Sequence, residues 1–150
     1  MTVKITDRAF DPYQEIQAYQ NARTANIGAA GASSIFIGTM RDFNDGVGVT
    51  GMTLDYYPGM TEKQLEKIIT EAQRLWPVID SLVIHRVGDI LPHESIVLVA
   101  VWSSHRCDAF DATRYIMEAL KSTVPFWKKE RLVTEGERWV AHNTSGYKAG

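Results

Sequence analysis

The chain has 150 residues, 45% of them hydrophobic and 23% charged, and carries a formal net charge of −2. That size and balance fit one ordinary globular domain, able to bury a core without disulfides or a structural metal, and they exclude a disordered chain. The charge gives no overall attraction to nucleic acid or to an anionic membrane, so any anion site must be a local cluster of basic residues.

Met1 to Asp7 lacks the apolar stretch of a secretory signal. Asp11-Pro12 reads as a helix N-cap followed by proline at the first helical position, opening a short helix with Tyr13, Ile16 and Tyr19 turned inward. Asn21 to Ser34, rich in Ala, Gly and small polar residues, is the loosest stretch. Ser34 to Thr39 is predicted as a buried strand, and Val49 to Tyr57 as a second with Met52, Leu54 and Tyr56 on one face. Arg41 to Gly48 between them is a turn-rich connection of the kind that joins antiparallel strands.

Pro58-Gly59 ends the second strand. Thr61 and Gln64 then fit a capping box, and Leu65, Ile68, Ile69, Ala72, Leu75 and Trp76 recur at helical spacing up to Pro77. Ser81 to Val87 and Ser95 to Trp102 are two further strands, joined through Gly88 to Glu94. A third helix starts near Ser104, buries Phe110, Thr113, Ile116, Met117 and Leu120, and stops before Pro125. Lys128 to Thr134 and Glu137 to Ala141 form a final hairpin around Glu135-Gly136. The tail from Asn143 to Gly150 is expected to fray or to be ordered by a partner. The order αββαββαββ predicts one α+β domain over residues 1–150, with antiparallel strands and about three helices, rather than a doubly wound parallel sheet.

Cys107 is the single cysteine, so no internal disulfide forms and a reducing, cytoplasmic setting is expected. His85, His93, His105 and His142 have no metal-ligand spacing, so no metal site is expected, and Gly46-Val-Gly48 lacks the spacing and strand–helix setting of a phosphate-binding loop. The longest apolar run, Ile96 to Trp102, is too short to span a bilayer.

Two segments carry candidate chemistry. Ser103-Ser104-His105-Arg106 sits where a strand meets a helix. With Ser104 as N-cap, its free N–H groups and dipole favour an anion, and two cations there make sense if an anionic ligand arrives. The alternative is an ion pair of Arg106 with Asp108. Lys121-Ser-Thr-Val-Pro-Phe-Trp-Lys128-Lys129 places lysines around an aromatic turn, which suits a flat heterocycle or an extended peptide. Its alternative is a solvated helix end, where lysines complement the C-terminal dipole. Arg41 alone carries little signal. Cys107 lacks an assigned base and reads as a buried structural thiol rather than a nucleophile. His85 reads as structural.

Phe36-Ile-Gly-Thr-Met-Arg41, Leu54-Asp-Tyr-Tyr-Pro-Gly-Met60-Thr61, His85-Arg-Val-Gly88, Ser104-His-Arg106 and Lys121-Ser-Thr-Val-Pro-Phe-Trp-Lys-Lys-Glu130 together resemble the large subunit of molybdopterin synthase. The likeness covers about residues 34 to 141, with 1–33 and 142–150 matching loosely. It implies an α/β hammerhead-type fold. It also implies a homodimer carrying a small β-grasp sulfur-carrier subunit at each end, a heterotetramer. That subunit ends in a Gly-Gly thiocarboxylate, and the acceptor is cyclic pyranopterin monophosphate, whose two added sulfurs make the dithiolene of molybdopterin. The functional positions it implies are Arg41, His105, Arg106, Lys121 and Lys128, with Lys129 and the backbone of Thr39 and Met40 nearby. Lys121 and Lys128 fall to the reacting carbonyl and the others to substrate. His142 stands where some relatives carry arginine.

Arg106 and Lys121 are fifteen residues apart on one predicted helix, about 22 Å of rise. A pocket that uses both must therefore take them from two copies across a two-fold interface. The competing function is a non-catalytic docking module for a ubiquitin-like partner, with Phe126-Trp127 and a strand edge holding an extended tail. A phosphate-ester hydrolase would need a carboxylate pair or metal set that the sequence lacks.

Overall fold

A computed structural model describes residues 1–23, 27–134, 136–142 and 146. Its elements are β1 (Thr2–Thr6), α1 (Pro12–Ala22), β2 (Ala32–Thr39), β3 (Phe43–Asn44), β4 (Val47–Asp55), α2 (Met60–Leu75), β5 (Val78–Arg86), β6 (Gly88–Ile90), β7 (Ser95–Ser103), α3 (Arg106–Thr123), β8 (Trp127–Leu132) and β9 (Glu137–Val140). The α+β class and the three helices agree with the sequence reading. The tail from 143 onward, apart from Gly146, and Glu135 in the last turn lie outside the described residues.

The strands form two sheets. One runs β1-β5-β7-β2 and the other β3-β4-β8-β9, with β6 also paired to β4. β5 and β7 are fully central, and their residues are buried on both faces. On one face α2 and α3 bury Leu65, Ile69, Ala112, Ile116 and Leu120 against Val83, Val99 and Val101. On the other, Ile16 of α1 covers Leu82, Ile84, Leu98, Ala100 and Trp102. Each fully buried Leu or Ile contributes about 1.5–3 kcal/mol, so these two layers hold the sheet between helices. Among the described residues no helix is long and apolar enough to cross a membrane.

Several local expectations are corrected. β2 is an edge strand, not a buried one: Ile35 and Phe36 remain 45% and 42% exposed. It pairs with β7, Ala32 opposite Ser103 through Thr39 near Ser95, and not with β4. The turn within Arg41 to Gly48 instead closes the small β3–β4 hairpin, where Asp45 and Gly46 both take positive φ (50° and 76°). β1 was not anticipated. It pairs in parallel with Leu82–Arg86 of β5, a contact between distant parts of the chain.

The cap of α1 is as expected, with Asp11 Oδ1 accepting from the N–H of Tyr13 and Gln14, but Tyr13 is 72% exposed. α2 is capped at Gly59 (φ 81°), whose N–H donates to Glu62 Oε2 at 2.6 Å, rather than by Thr61 and Gln64. Thr61 lies one residue inside the helix and is buried. Leu75 and Phe110 also point outward, at 45% and 63% exposure. Both sit at the rim of an apolar helical stripe, where the period of 3.6 residues does not settle which way a side chain turns.

Candidate active site

β2 ends at Thr39, and the chain leaves it through Met40 and Arg41. Met40 is buried, and its backbone is held twice: its N–H donates to Glu94 O at 2.9 Å and its carbonyl accepts from His93 N–H at 2.8 Å. Arg41 donates to Asn44 Oδ1 at 3.5 Å and lies 5.4 Å from the centre of the Phe43 ring. Opposite, the last turn of α3 supplies Lys121. Pro125 and Phe126 then turn the chain into β8, where two-residue alternation puts Lys128 and Glu130 on one face.

These walls enclose a recess of about 180 Å³, lined among others by Thr39, Met40, Arg41, Lys121, Lys128 and Glu130. It continues into a wider groove of about 700 Å³ past Arg138, Trp139 and His142.

Glu130 organises the charges. It is 2% exposed, accepts from Arg138 Nε at 2.9 Å and from Asn44 Nδ2 at 2.9 Å, and pairs with Lys128 Nζ at 3.4 Å. Burial alone would raise its pKa. The Arg138 hydrogen bond, the Lys128 charge and the Asn44 contact overcome that and leave it lowered, so the carboxylate stays ionised. Lys121 is exposed by area, yet its ammonium is poorly solvated against the recess walls. Burial chiefly, and then the like charge of Lys128, lower its pKa. Glu130 was not singled out as a site residue, although its charge among cations and its two-residue spacing from Lys128 were legible.

The other candidates are placed differently. His105 is the N-cap of α3 without a side-chain cap bond, and Arg106 is the first helical residue; both are exposed. Ser104, expected as the N-cap, instead donates to Ala29 O at 3.2 Å. Neither His105 nor Arg106 lines the recess, because α3 runs unbroken from Arg106 past Lys121 and holds them at opposite ends. Lys129 faces away from Lys128. It pairs with Glu137 at 3.0 Å and lies 5.5 Å from the Trp139 ring centre. Cys107 is exposed rather than buried.

His85 lies behind the recess, 3% exposed, with Nδ1–H donating to Arg86 O at 2.7 Å. Burial pushes its pKa down to about 4, and the nearby Lys121 charge acts in the same direction. The unfolded chain therefore binds a proton near pH 6.5 that the folded chain refuses until about pH 4. Stability from this group is full above pH 6.5 and is lost as pH falls towards 4, about 3 kcal/mol in all. Urea unfolding at pH 7 and pH 4.5 should show that loss in the native chain and a smaller one in His85→Phe.

Among the described residues no group of three or more His, Cys, Asp or Glu side chains is placed to hold a metal ion. Fold and site together define an α+β protein with a cationic recess between the end of a helix and a second sheet. The model of the MoaE protein family matches residues 5–123, and the chain belongs to that family. A molybdopterin synthase catalytic subunit from Ralstonia nicotianae is 50% identical over 139 residues, covering 93% of this chain and 76% of that protein. One from Pseudomonas aeruginosa is 48% identical, with 93% and 90% covered. The crystal structure of molybdopterin synthase from Staphylococcus aureus is similar at a TM-score of 0.80 and 32% identity, covering 93% of this chain and 96% of that one.

Proposed function

We propose that this chain transfers sulfur at the Arg41–Lys121–Lys128 recess, from the C-terminal thiocarboxylate of a small β-grasp subunit to cyclic pyranopterin monophosphate, in the cytoplasm. The chain is an enzyme, a sulfurtransferase of molybdenum-cofactor biosynthesis. The relatives' name, catalytic subunit, speaks for a companion subunit. The observation that carries the site is the convergence of Arg41, Lys121 and Lys128 on one recess. Its one carboxylate among the described lining residues, Glu130, is already matched by Arg138 and Lys128. Both reactants are anions, and such a recess draws them together.

Once the sulfur has bonded to the pterin, attack of water or an amine on the acyl carbon puts negative charge on the carbonyl oxygen, and collapse of that adduct breaks the acyl–sulfur bond and leaves the sulfur on the pterin. Lys121 stabilises that charge by donating a hydrogen bond or a proton, with Lys128 beside it. A lysine with a lowered pKa also has a larger uncharged fraction, which allows it to accept the acyl group itself. Arg41 binds the phosphate or the pterin through its fork of donors. Thr39 and Met40 present backbone to the ring, and Lys129 braces the Trp139 rim of the outer groove.

His105 and Arg106 complete the pocket from a second copy. The free edge of β2 contains neither charge nor proline, and its Ile35 and Phe36 are exposed. Antiparallel pairing of two such edges sets the Ala32 end of one copy against the Thr39 end of the other. The Ala32 end adjoins the start of α3, through Gly31 N–H to Ser103 O at 3.1 Å. His105 and Arg106 of one copy then approach Arg41 of the other.

The test is dithiolene formation in a reconstituted assay with thiocarboxylated small subunit and the cyclic phosphate. A docking module would bind the small subunit and leave the pterin unchanged. For the shared pocket, inactive Arg106→Ala and Lys121→Ala homodimers are mixed and allowed to exchange. Half of the dimers become mixed and each regains one intact site of two, so about a quarter of native turnover returns. Demonstrated exchange with no recovery would rule out a pocket built from both copies.

A further inference from the structure

The His85-Arg86-Val87-Gly88 segment takes no part in the chemistry above, yet its two polar side chains are buried, 3% and 6% exposed, and strand alternation turns them to opposite faces of β5. His85 is the register partner of Val97, which lines the recess floor. Its ring stacks on Phe126, with centroids 3.9 Å apart and planes 9° from parallel. Phe126 lies in the turn between Lys121 and Lys128, so this contact fixes how that turn carries one lysine towards the other. Donation of Nδ1–H to Arg86 O also sets the tautomer and the plane of the ring.

Arg86 braces the opposite wall. Its Nη2 donates to Asp89 O at 2.7 Å, and Nη1 lies 3.6 Å from Glu94 Oε2. Glu94 Oε2 also accepts from Leu91 N–H at 2.9 Å, closing the loop in which His93 holds a positive φ of 72°. That loop grips the backbone of Met40 from both sides, through His93 N–H and Glu94 O. Arg86 thus sets, at one remove, where Thr39 to Arg41 stand.

We propose that His85 and Arg86 are positioning residues for sulfur transfer, His85 aligning the Lys121–Lys128 wall through Phe126 and Arg86 aligning the Arg41 wall through the 88–94 loop. The assignment rests on the proposed roles of those two walls. If the lysine wall stabilises the reacting carbonyl, disturbing it lowers kcat. If the Arg41 wall binds the phosphorylated substrate, disturbing it raises KM.

Steady-state kinetics on His85→Leu, His85→Phe, Arg86→Met and Lys121→Ala, in complex with thiocarboxylated small subunit, tests this, with thermal melts reporting the folded fraction. His85→Leu should lower kcat about tenfold with KM for the cyclic phosphate nearly unchanged, since displacements of an ångström or less cost factors of this size. His85→Phe keeps a flat ring against Phe126 and should recover kcat to within about threefold of native. Arg86→Met should raise KM about tenfold and leave kcat within about threefold. Structural damage alone lowers active enzyme without separating kcat from KM, and cannot produce opposite signatures at adjacent residues. Folded His85→Leu and Arg86→Met with native kinetics, or with losses that only track the folded fraction, overturn the proposal. If Lys121→Ala retains native turnover, the underlying reading of the lysine wall fails instead.

Discussion

Lys121→Ala should lower kcat for dithiolene formation by about 100-fold or more, because in the proposed mechanism it removes a preorganised cation from the point where charge develops on oxygen. Affinity for the small subunit and KM for the cyclic phosphate should change little, since Arg41 and Lys128 still supply positive charge to the recess. Lys121→Arg separates the roles that remain. It keeps the charge and should keep binding, but a guanidinium does not deprotonate near neutral pH, so turnover stays low if proton transfer or acylation is required. Lys128→Ala removes the second of the two causes that lower the Lys121 pKa and leaves burial, the larger one. The Lys121 pKa should rise part of the way towards its ordinary 10.5. The alkaline shift of the pH–rate profile should follow it if the uncharged amine reacts. Native turnover in Lys121→Ala with verified thiocarboxylate donor would remove the lysine from the mechanism.

Glu130→Gln should destabilise the fold by about 3 kcal/mol, the cost of removing one partner from a buried ion pair. For a domain of this size that lowers the melting temperature by about 10 °C. The amide retains a contact to Asn44 but leaves Arg138 and Lys128 without their anion, in a recess that also holds Lys121 and Arg41. Removing the anion also raises the positive potential there, so cyclic-phosphate KM should not worsen in the fraction that remains folded. The pH dependence has a definite sign. The Glu130 pKa is lowered on folding, so its contribution is present above the ordinary carboxylate value and is lost as pH falls through the lowered one. Calorimetric scans at pH 7 should separate native and variant clearly, and scans at pH 4 less so. Equal melting temperatures at pH 7 would mean that the Glu130 cluster carries no net stability.

The elements most legible in the sequence were those whose pattern is local. α2 shows its apolar stripe from Leu65 to Ala72, and α3 ends where Pro125 requires it. The Lys128–Ala141 hairpin follows from alternation around Glu135-Gly136. What escaped depends on distant partners. Nothing in Thr2–Thr6 announces that it will lie parallel to Leu82–Arg86. Ser34–Thr39 is apolar enough to look buried, yet it closes a sheet edge. The site was legible as residue types in a family's order, and the separation of Arg106 from Lys121 followed from helical rise alone. The neutralising part of Glu130 was not, because it needs Asn44 and Arg138 brought in from two other strands.

The unguarded rim at Ile35 and Phe36 bears on how the protein behaves when scarce. If each catalytic centre is completed across that rim, a lone subunit is inert however well folded it is. Turnover per subunit then ceases to be constant below the association threshold and falls with total protein by mass action. A progressive loss of specific activity on serial dilution, reversed by adding the Lys121→Ala chain as an otherwise silent donor of His105 and Arg106, is how that dependence would show itself.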